Sequence, residues 1–240
     1  MRAASTAVVI PARDEASTIG AVLDAILGPG DPLDEVVVVD DHSSDDTATI
    51  AARHGARVVT NEGPSGKGTA MRVGALATTA DVLVFLDADV RNTAEDYVPR
   101  LVQPLLEHDG TVLVKGYYER PLHGMPTGGG RVTELAARPI LSLLFPGLGE
   151  IRQPLAGETA LRREVLRRVD LEADYGVEIA LLIDVARVYG VAALAQVDLG
   201  VRRHRNRPLE ELNPMAVEVL RSALARYGLP LPGRDGTRGD

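Results

Sequence analysis

The sequence contains no cysteine and no tryptophan, and its 240 residues include only two phenylalanines and six tyrosines. Without cysteine, the chain can form no disulfide, thiolate zinc site or cysteine nucleophile, so carboxylates and five histidines remain as metal ligands. Any metal site should therefore be hard and suit Mg²⁺ or Mn²⁺. Few aromatics and a net charge of -8 argue against nucleic acid as a partner, because a nucleic-acid surface needs a basic face or stacking rings.

Long hydrophobic runs are also absent. No apolar run approaches the roughly 20 residues of a membrane span, and residues 1–6 lack the apolar core of a signal peptide. We therefore expect a cytoplasmic protein with no membrane span. A hydrophobic content of 45% with 25% charged residues is typical of a globular chain, and the length favours one domain over residues 1–240.

Short apolar, β-branched runs alternate with helical patterns along the first half of the chain. Strands are predicted at residues 7–10, 35–39, 57–59, 82–86 and 111–118, and helices at 18–27 and 47–54. This alternation predicts an α/β fold with a mostly parallel central sheet flanked by helices. In such a sheet, ligands bind at the carboxyl ends of the strands.

The alternation weakens after about residue 120. Residues 121–130 are rich in proline and glycine and predict a loop. Beyond it, the pattern predicts helices at 132–144, 175–189 and 208–227, a strand at 193–201, and a disordered tail over 229–240.

Acidic residues follow three of the predicted strands. Asp87 and Asp89 lie where an apolar strand ends, and two hard oxygen donors there could hold a divalent cation that bridges a diphosphate. Turn formation or helix capping is the alternative for this pair. Residues 9–15 and 39–46 end the first two strands with carboxylates and hydroxyls, which suits a nucleoside pocket or, alternatively, ordinary turns and caps.

Two glycine-rich segments precede predicted helices. Residues 63–69 include Lys67 but fail the Walker pattern, because Asn61 replaces its first glycine and Gly68 follows the lysine. Lys67 could still meet a phosphate or a pocket carboxylate, or lie on the surface. Residues 127–134 place glycines and Arg131 at a helix start, which favours an anion site over a plain flexible turn.

Two charged features lie further along the chain. Residues 201–208 place four arginines around His204, and this basic cluster either attracts anionic ligands or forms a solvated loop. His204 could also complete a metal site with Asp89. Glu178 lies on an apolar helix face, so it should pair with an arginine or face ligand hydroxyls. No G-x-S-x-G or G-x-G-x-x-G motif occurs, which disfavours serine hydrolases and NAD enzymes.

Taken together, these segments resemble a glycosyltransferase of the GT-A fold and family 2 type. The early motifs are VVIPARDE, VVDDHSSDDT and the D-x-D pair Asp87-Ala88-Asp89. The later motifs TGGGRVTEL, QPLAGE, YGVEI and HRNRPL resemble the glucosyl-3-phosphoglycerate synthases, retaining enzymes of glycosyltransferase family 81. The resemblance covers about residues 7–228.

The resemblance implies a metal-dependent transfer of glucose from UDP-glucose to the 2-hydroxyl of 3-phospho-D-glycerate, which gives glucosyl-3-phosphoglycerate and UDP. Mg²⁺ or Mn²⁺ would be the cofactor, and the enzyme would be a homodimer. About residues 1–120 would bind the nucleotide sugar, and about residues 121–228 the acceptor.

The resemblance also implies roles for individual residues. The nucleotide sugar would be bound by Pro11, Ala12, Arg13, Glu15, Asp41, Lys67, Asp87, Ala88, Tyr175, Gly176, Val177, Glu178, Arg205 and Arg207. The acceptor would be bound by Gly130, Arg131, Val132, Thr133 and Asn206. Asp89 and His204 would hold the metal. The catalytic residues would be Leu155, through its backbone carbonyl near the anomeric centre, Glu178, which would orient the sugar, and Asp89.

The chain departs from the family pattern after the second strand. The family usually has D-S-G-S-x-D there, whereas this chain places Asp41 where a hydroxyl would meet the nucleotide, which bears on base or ribose selectivity. The alternatives are a related transferase such as a mannosyl-3-phosphoglycerate synthase using GDP-mannose, a P-loop phosphotransferase, and a non-catalytic nucleotide-sugar sensor.

Overall fold

The computed structural model describes residues 4–28, 33–122, 125–128, 130–202 and 209–232. Its main sheet has seven strands in the order β3-β2-β1-β4-β8-β5-β9, and a two-stranded sheet pairs β6 with β7. The strands are β1 (Thr6–Ala12), β2 (Glu35–Asp40), β3 (Arg57–Thr60), β4 (Val82–Phe85), β5 (Leu113–Glu119), β6 (Pro121–Leu122), β7 (Met125–Gly128), β8 (Thr159–Arg162) and β9 (Leu194–Val201).

Seven α-helices surround the main sheet within the part of the chain that is described. They are α1 (Ile19–Ile26), α2 (Thr47–Arg53), α3 (Lys67–Ala77), α4 (Tyr97–Glu107), α5 (Arg138–Leu144), α6 (Val177–Tyr189) and α7 (Leu209–Tyr227). A π-helical turn, Thr133–Ala137, leads directly into α5. No described helix is long and apolar enough to cross a membrane.

The sheet is mostly parallel, as the sequence predicts. Strands β1 to β4 pair in parallel, and β5 pairs in parallel with β9. The exception is β8, which lies antiparallel between β4 and β5. Strand β8 was not predicted, because its four residues, TALR, carry too short a pattern to stand out from the neighbouring loop.

Two further predictions need correction. The predicted loop over residues 121–130 contains the hairpin of β6 and β7, whose strands are too short to give a period of their own. The predicted helix over 132–144 is interrupted by the π-helical turn before α5 begins. The other predicted helices agree with the structure to within about two residues at the ends that are described. Most of the predicted disordered tail, residues 233–240, lies outside the described residues.

Apolar side chains pack on both faces of the sheet. Helices α1, α2 and α4 contribute Leu23, Ala51 and Leu101 to the core on one face. Helices α3 and α6 contribute Met71 and Leu181 to the core on the other face. Helices α5 and α7 then pack on α6 through a third cluster. This layering leaves the carboxyl ends of the parallel strands β1, β2 and β4 at one edge, where a ligand crevice forms.

Candidate active site

A cavity of about 440 Å³ opens at the carboxyl ends of β1, β2 and β4. The sequence-predicted residues that line it share this edge of the sheet or the loops facing it. They are Pro11, Ala12, Arg13, Glu15, Asp41, Lys67, Asp87, Ala88, Asp89, Gly130, Arg131, Val132, Thr133, Leu155, Tyr175 and Glu178. Residues that are more than a hundred positions apart in the sequence therefore meet around one space.

Some predicted site residues are not among those that line the cavity. The side chain of Val177 is fully buried in the core between α6 and the sheet. At Gly176, a Cβ atom would lie 2.8 Å from Ser222, so this residue packs against α7. Binding of the nucleotide sugar by the backbone atoms of Gly176 and Val177 stays a prediction. His204, Arg205, Asn206 and Arg207 lie outside the described residues, and their roles also stay predictions.

Lys67 joins two carboxylates at the centre of the cavity wall. Its Nζ lies 2.6 Å from Oδ1 of Asp87 and 2.6 Å from Oε1 of Glu178. Of the alternatives predicted for Lys67, the structure therefore shows the contact with carboxylates of the pocket. Of the two alternatives for Glu178, the arginine partner is replaced by Lys67, and contact with ligand hydroxyls stays a prediction. The two side chains meet because α3 begins at Lys67 and α6 at Val177, and both helix starts lie at the cavity.

Arg202 forms a second bridge between carboxylates. It is 4% exposed, and its Nη2 donates to Oδ2 of Asp87 at 2.8 Å and to Oδ1 of Asp89 at 3.0 Å. Its Nη1 donates to the buried Glu158 at 3.0 Å and to the hydroxyl of Tyr118 at 2.6 Å. One planar guanidinium thus fixes three carboxylates, a geometry that a lysine could not reproduce.

The sequence predicts no role for Glu158, and it predicts Arg202 only as one of the four arginines that focus anionic ligands or form a solvated loop. The structure instead shows Arg202 buried against three carboxylates. Glu158 lies in the loop before β8, which was not predicted, and its partner Arg202 follows β9. One general rule was available: burying an isolated charge is costly, so a buried Glu158 must have a charged partner. That rule does not say which residue is the partner, because the pair is 44 positions apart in the sequence.

Burial and ion pairing act in opposite directions on this network. Burial alone would raise the pKa of Asp87, yet Lys67 and Arg202 lower that pKa well below its ordinary value. Burial would lower the pKa of Lys67, but Asp87 and Glu178 raise it well above its ordinary value. For Glu158 burial prevails, and the pKa is raised despite Arg202. The cavity wall therefore carries fixed charges of both signs at neutral pH.

Asp41 holds the loop that precedes α3. Its Oδ1 accepts from Nδ2 of Asn61 at 2.6 Å, and its Oδ2 accepts from Oγ of Ser65 at 2.8 Å and from the backbone N–H of Gly66 at 3.0 Å. Nη1 of Arg13 donates to the same Ser65 hydroxyl at 2.8 Å. Asn61, which replaces the Walker glycine, is therefore a buried anchor of this loop rather than part of a phosphate loop.

The donor set fits a hard divalent cation. Asp89 bonds to Arg202 through Oδ1 only, and its side chain is 37% exposed at the cavity. Mg²⁺ is typically held by one or two carboxylates, with substrate phosphates and waters completing its coordination. Within the described residues no group of three or more potential ligands forms, and the predicted second ligand, His204, lies outside them.

Comparisons with known proteins give the family of the chain. The family model "Glycosyl transferase family 2" matches residues 7–169. The glucosyl-3-phosphoglycerate synthase of Mycolicibacterium paratuberculosis is 48% identical over 94% of this chain and 73% of its own length.

Solved structures of the glucosyl-3-phosphoglycerate synthase from Mycobacterium tuberculosis also match. One was solved with Mn²⁺, UDP-glucose and phosphoglyceric acid, and another with Mg²⁺ and UDP. Each matches with a TM-score of 0.87 and 46% identity, and the match covers 95% of this chain and 81% of the solved chain. The chain therefore belongs to the family that the glycosyl transferase family 2 model describes and, at this level of identity, to the glucosyl-3-phosphoglycerate synthases.

Proposed function

We propose that this chain transfers glucose from UDP-glucose to the 2-hydroxyl of 3-phospho-D-glycerate, releasing UDP and forming glucosyl-3-phosphoglycerate, with Mg²⁺ or Mn²⁺ as cofactor. The observation that carries the proposal is the composition of one cavity. It places the Asp87 and Asp89 carboxylates beside Lys67 and, on another part of its wall, the helix start at Arg131. The complexes of the M. tuberculosis relative support the same substrates and metals.

The nucleotide would bind at the end of the cavity formed by β1 and β2. Pro11, Ala12 and Arg13 follow β1, and Asp41 follows β2, so backbone groups and a carboxylate are available to uracil and ribose. Because Asp41 already accepts three hydrogen bonds, its orientation is fixed before the donor arrives. A preorganised acceptor of this kind loses little entropy on binding.

Cleavage of the sugar–phosphate bond builds negative charge on the departing UDP. Asp89, with His204 as its proposed partner, would hold the divalent cation, which when bound supplies positive charge to the diphosphate. Lys67 and Arg202 hold fixed positive charges in the same wall. Arg205 and Arg207 are proposed to add to them. Preorganised charges placed where charge develops lower the barrier more than they stabilise the bound donor.

The acceptor brings a phosphate and a carboxylate, and both are anions. Gly130, Arg131, Val132 and Thr133 line the cavity where the chain enters the π-helical turn and α5. Backbone N–H groups at a helix start and an arginine fork favour anions, and Asn206 is proposed to contact the acceptor as well. Fixing the anions orients the 2-hydroxyl, and orientation is a large part of such a reaction.

The donor sugar would lie between Leu155 and Glu178, which both line the cavity. Glu178 is held by Lys67, so its carboxylate can accept hydrogen bonds from sugar hydroxyls in a fixed orientation. We propose that the reaction retains the anomeric configuration by attack on the same face as the leaving UDP, with the Leu155 backbone carbonyl near the anomeric carbon. Glu178 then orients the sugar and does not form a covalent intermediate.

We also propose that the enzyme forms a homodimer and acts in the cytoplasm. Both substrates are highly charged and cross membranes poorly, so the enzyme must share their compartment.

The test measures release of the nucleoside diphosphate, UDP from UDP-glucose or GDP from GDP-mannose, in the presence of Mg²⁺, with and without 3-phosphoglycerate. We expect release only with UDP-glucose and only when the acceptor is present. Faster turnover of GDP-mannose would instead support the mannosyl alternative. Binding of UDP without any turnover would support the sensor alternative. ATP-dependent phosphorylation of the acceptor would support a phosphotransferase, which Asn61 and Gly68 disfavour.

A further inference from the structure

Lys115 is a buried lysine beneath the cavity, and the mechanism above does not use it. It lies in the middle of β5, between β8 and β9, and is 2% exposed. Its Nζ donates to the backbone carbonyl of Ala156 at 2.5 Å and to Oγ1 of Thr159 at 2.9 Å. Within the described part of the chain, no salt bridge forms at this nitrogen. A buried lysine without a paired carboxylate is rare, because burying its charge is costly.

The surrounding charges explain why Lys115 can remain protonated. Burial lowers its pKa to about 8 and Lys67 acts in the same direction, while Glu178, Glu158 and Asp87 oppose the shift. At neutral pH the ammonium form therefore prevails. Its hydrogen bonds are then charge-assisted, and such bonds are about twice as strong as neutral ones.

Residues 153–158 precede β8, and we call them the 153–158 loop. One acceptor of Lys115, the Ala156 carbonyl, lies in this loop, and the other, Thr159, directly follows it. Lys115 fixes the carbonyl of Ala156, and the N–H of Ala156 donates to the carbonyl of Gln153 at 3.1 Å. That N–H shares a peptide plane with the carbonyl of Leu155, and in a trans peptide the two point in opposite directions. Two consecutive peptide planes, including the one that carries the Leu155 carbonyl, are therefore held.

The same loop also touches the charged wall of the cavity. At Gly157 a Cβ atom would lie 2.0 Å from Oδ1 of Asp87, so the backbone packs directly against this carboxylate. Glu158 binds Arg202 through its side chain, and its carbonyl accepts from the N–H of Gly116 at 2.9 Å. The 153–158 loop thus connects the proposed sugar wall at Leu155 to the carboxylates that face the diphosphate.

We propose that Lys115 is a positioning residue for glucosyl transfer, whose buried ammonium holds the 153–158 loop so that the Leu155 carbonyl keeps its orientation toward the donor sugar. This proposal rests on the proposed function. Lys115 touches neither substrate. It acts through Ala156, and loss of its charge loosens the loop without opening the nucleotide end of the cavity.

The test compares the wild type with Lys115→Met, which has a similar length and no charge. We expect Lys115→Met to lower kcat at least about tenfold, since small displacements of positioned groups are costly to rate. The KM for UDP-glucose should change by less than roughly twofold, because uniform binding is untouched. In the wild type, kcat should fall as pH rises through about 8, and Lys115→Met should lack this limb.

Leu113→Val is the matched control. Leu113 is buried on the same strand, two residues before Lys115, and packs in the core between the sheet and α3 and α6. This variant should lower the melting temperature while the pH profile of kcat stays that of the wild type. If Lys115→Met retains the wild-type kcat and the wild-type alkaline limb, the positioning role is overturned.

A second measurement does not depend on turnover or on the folding of Lys115→Met. Above pH 8, amide hydrogen exchange of the 153–158 loop in the wild type should accelerate by more than the intrinsic chemical rate does. In the core of β5, the exchange rate divided by the intrinsic rate should stay the same. Exchange that follows the intrinsic rate alone would contradict the proposal. A wild type that transfers no sugar from UDP-glucose would contradict the proposed function, and the exchange result would still decide on Lys115.

Discussion

Arg202 donates from Nη2 to Oδ1 of Asp89 across 3.0 Å. The same nitrogen donates to Asp87, so one guanidinium links both carboxylates of the D-x-D pair. In the sequence, Arg202 lies two positions before the proposed metal ligand His204. The end of β9 is thereby tied to the end of β4 at the point where the diphosphate is proposed to bind.

Arg202→Met should destabilise the fold strongly, because it leaves the fully buried Glu158 without its counter-charge. Breaking a buried pair from one side costs roughly 3–5 kcal/mol. The double variant Arg202→Met with Glu158→Leu should recover much of this loss while remaining inactive. Urea denaturation of the three proteins measures both effects. A loss under about 1 kcal/mol in the single variant would mean that Glu158 does not depend on Arg202.

Asp89→Asn should abolish metal-dependent UDP release while the stability changes by less than about 1 kcal/mol, because the side chain is 37% exposed. His204→Ala should give the same loss. Asp96→Asn, at an exposed ion pair with Arg100 on α4, is the control and should leave turnover unchanged. Calorimetric titration of Mn²⁺ in the presence of UDP measures the metal site directly. Wild-type turnover and metal dependence in Asp89→Asn would remove Asp89 from the metal site.

Arg131→Ala should raise the KM for 3-phosphoglycerate far more than the KM for UDP-glucose, because the arginine is proposed to bind only the acceptor anion. Loss of one charge-assisted hydrogen-bonded pair should raise the KM for 3-phosphoglycerate roughly tenfold or more. Arg138→Ala, which removes an exposed ion pair with Glu134 one turn away, is the control. Steady-state kinetics with each substrate varied in turn gives the comparison. Equal increases in both KM values would contradict the assignment.

Lys115 should also affect how stability depends on pH. Its pKa is lowered from 10.5 to about 8 in the folded protein. Between these values the unfolded chain binds the proton and the folded chain does not, so this group makes the free energy of unfolding rise with pH. Below pH 8 both states are protonated and the full cost of burying the charge applies.

The free energy of unfolding of Lys115→Met, relative to that of the wild type, should therefore be most favourable below pH 8. Relative to the wild type, it should fall by roughly 3 kcal/mol as the pH approaches 10.5, at about 1.4 kcal/mol per pKa unit. Urea denaturation of both proteins at several pH values tests the slope. A stability difference that does not change with pH would show that Lys115 titrates normally.

The sequence predicts the sheet and the acidic edge of the site because parallel strands bring their carboxyl ends to one place. Lys67, Asp87 and Asp89 follow from this rule together with local motifs. The partners in the charge network could not be predicted in the same way. Lys67 and Glu178 are brought together by two helix starts that are 110 residues apart. Glu158 reaches Arg202 only because β8 inserts antiparallel between β4 and β5, and four residues carry too little pattern to predict that strand.

The proposed reaction is tested most directly by the structure of its product. The protein is incubated with UDP-glucose, 3-phosphoglycerate and Mg²⁺, and the product is isolated and examined by NMR spectroscopy. We predict one glucose joined through an α-linkage to the 2-hydroxyl of 3-phosphoglycerate, in an amount equal to the UDP released. A β-linked product would contradict retention, and UDP release without any glucosylated 3-phosphoglycerate would contradict the proposed transfer.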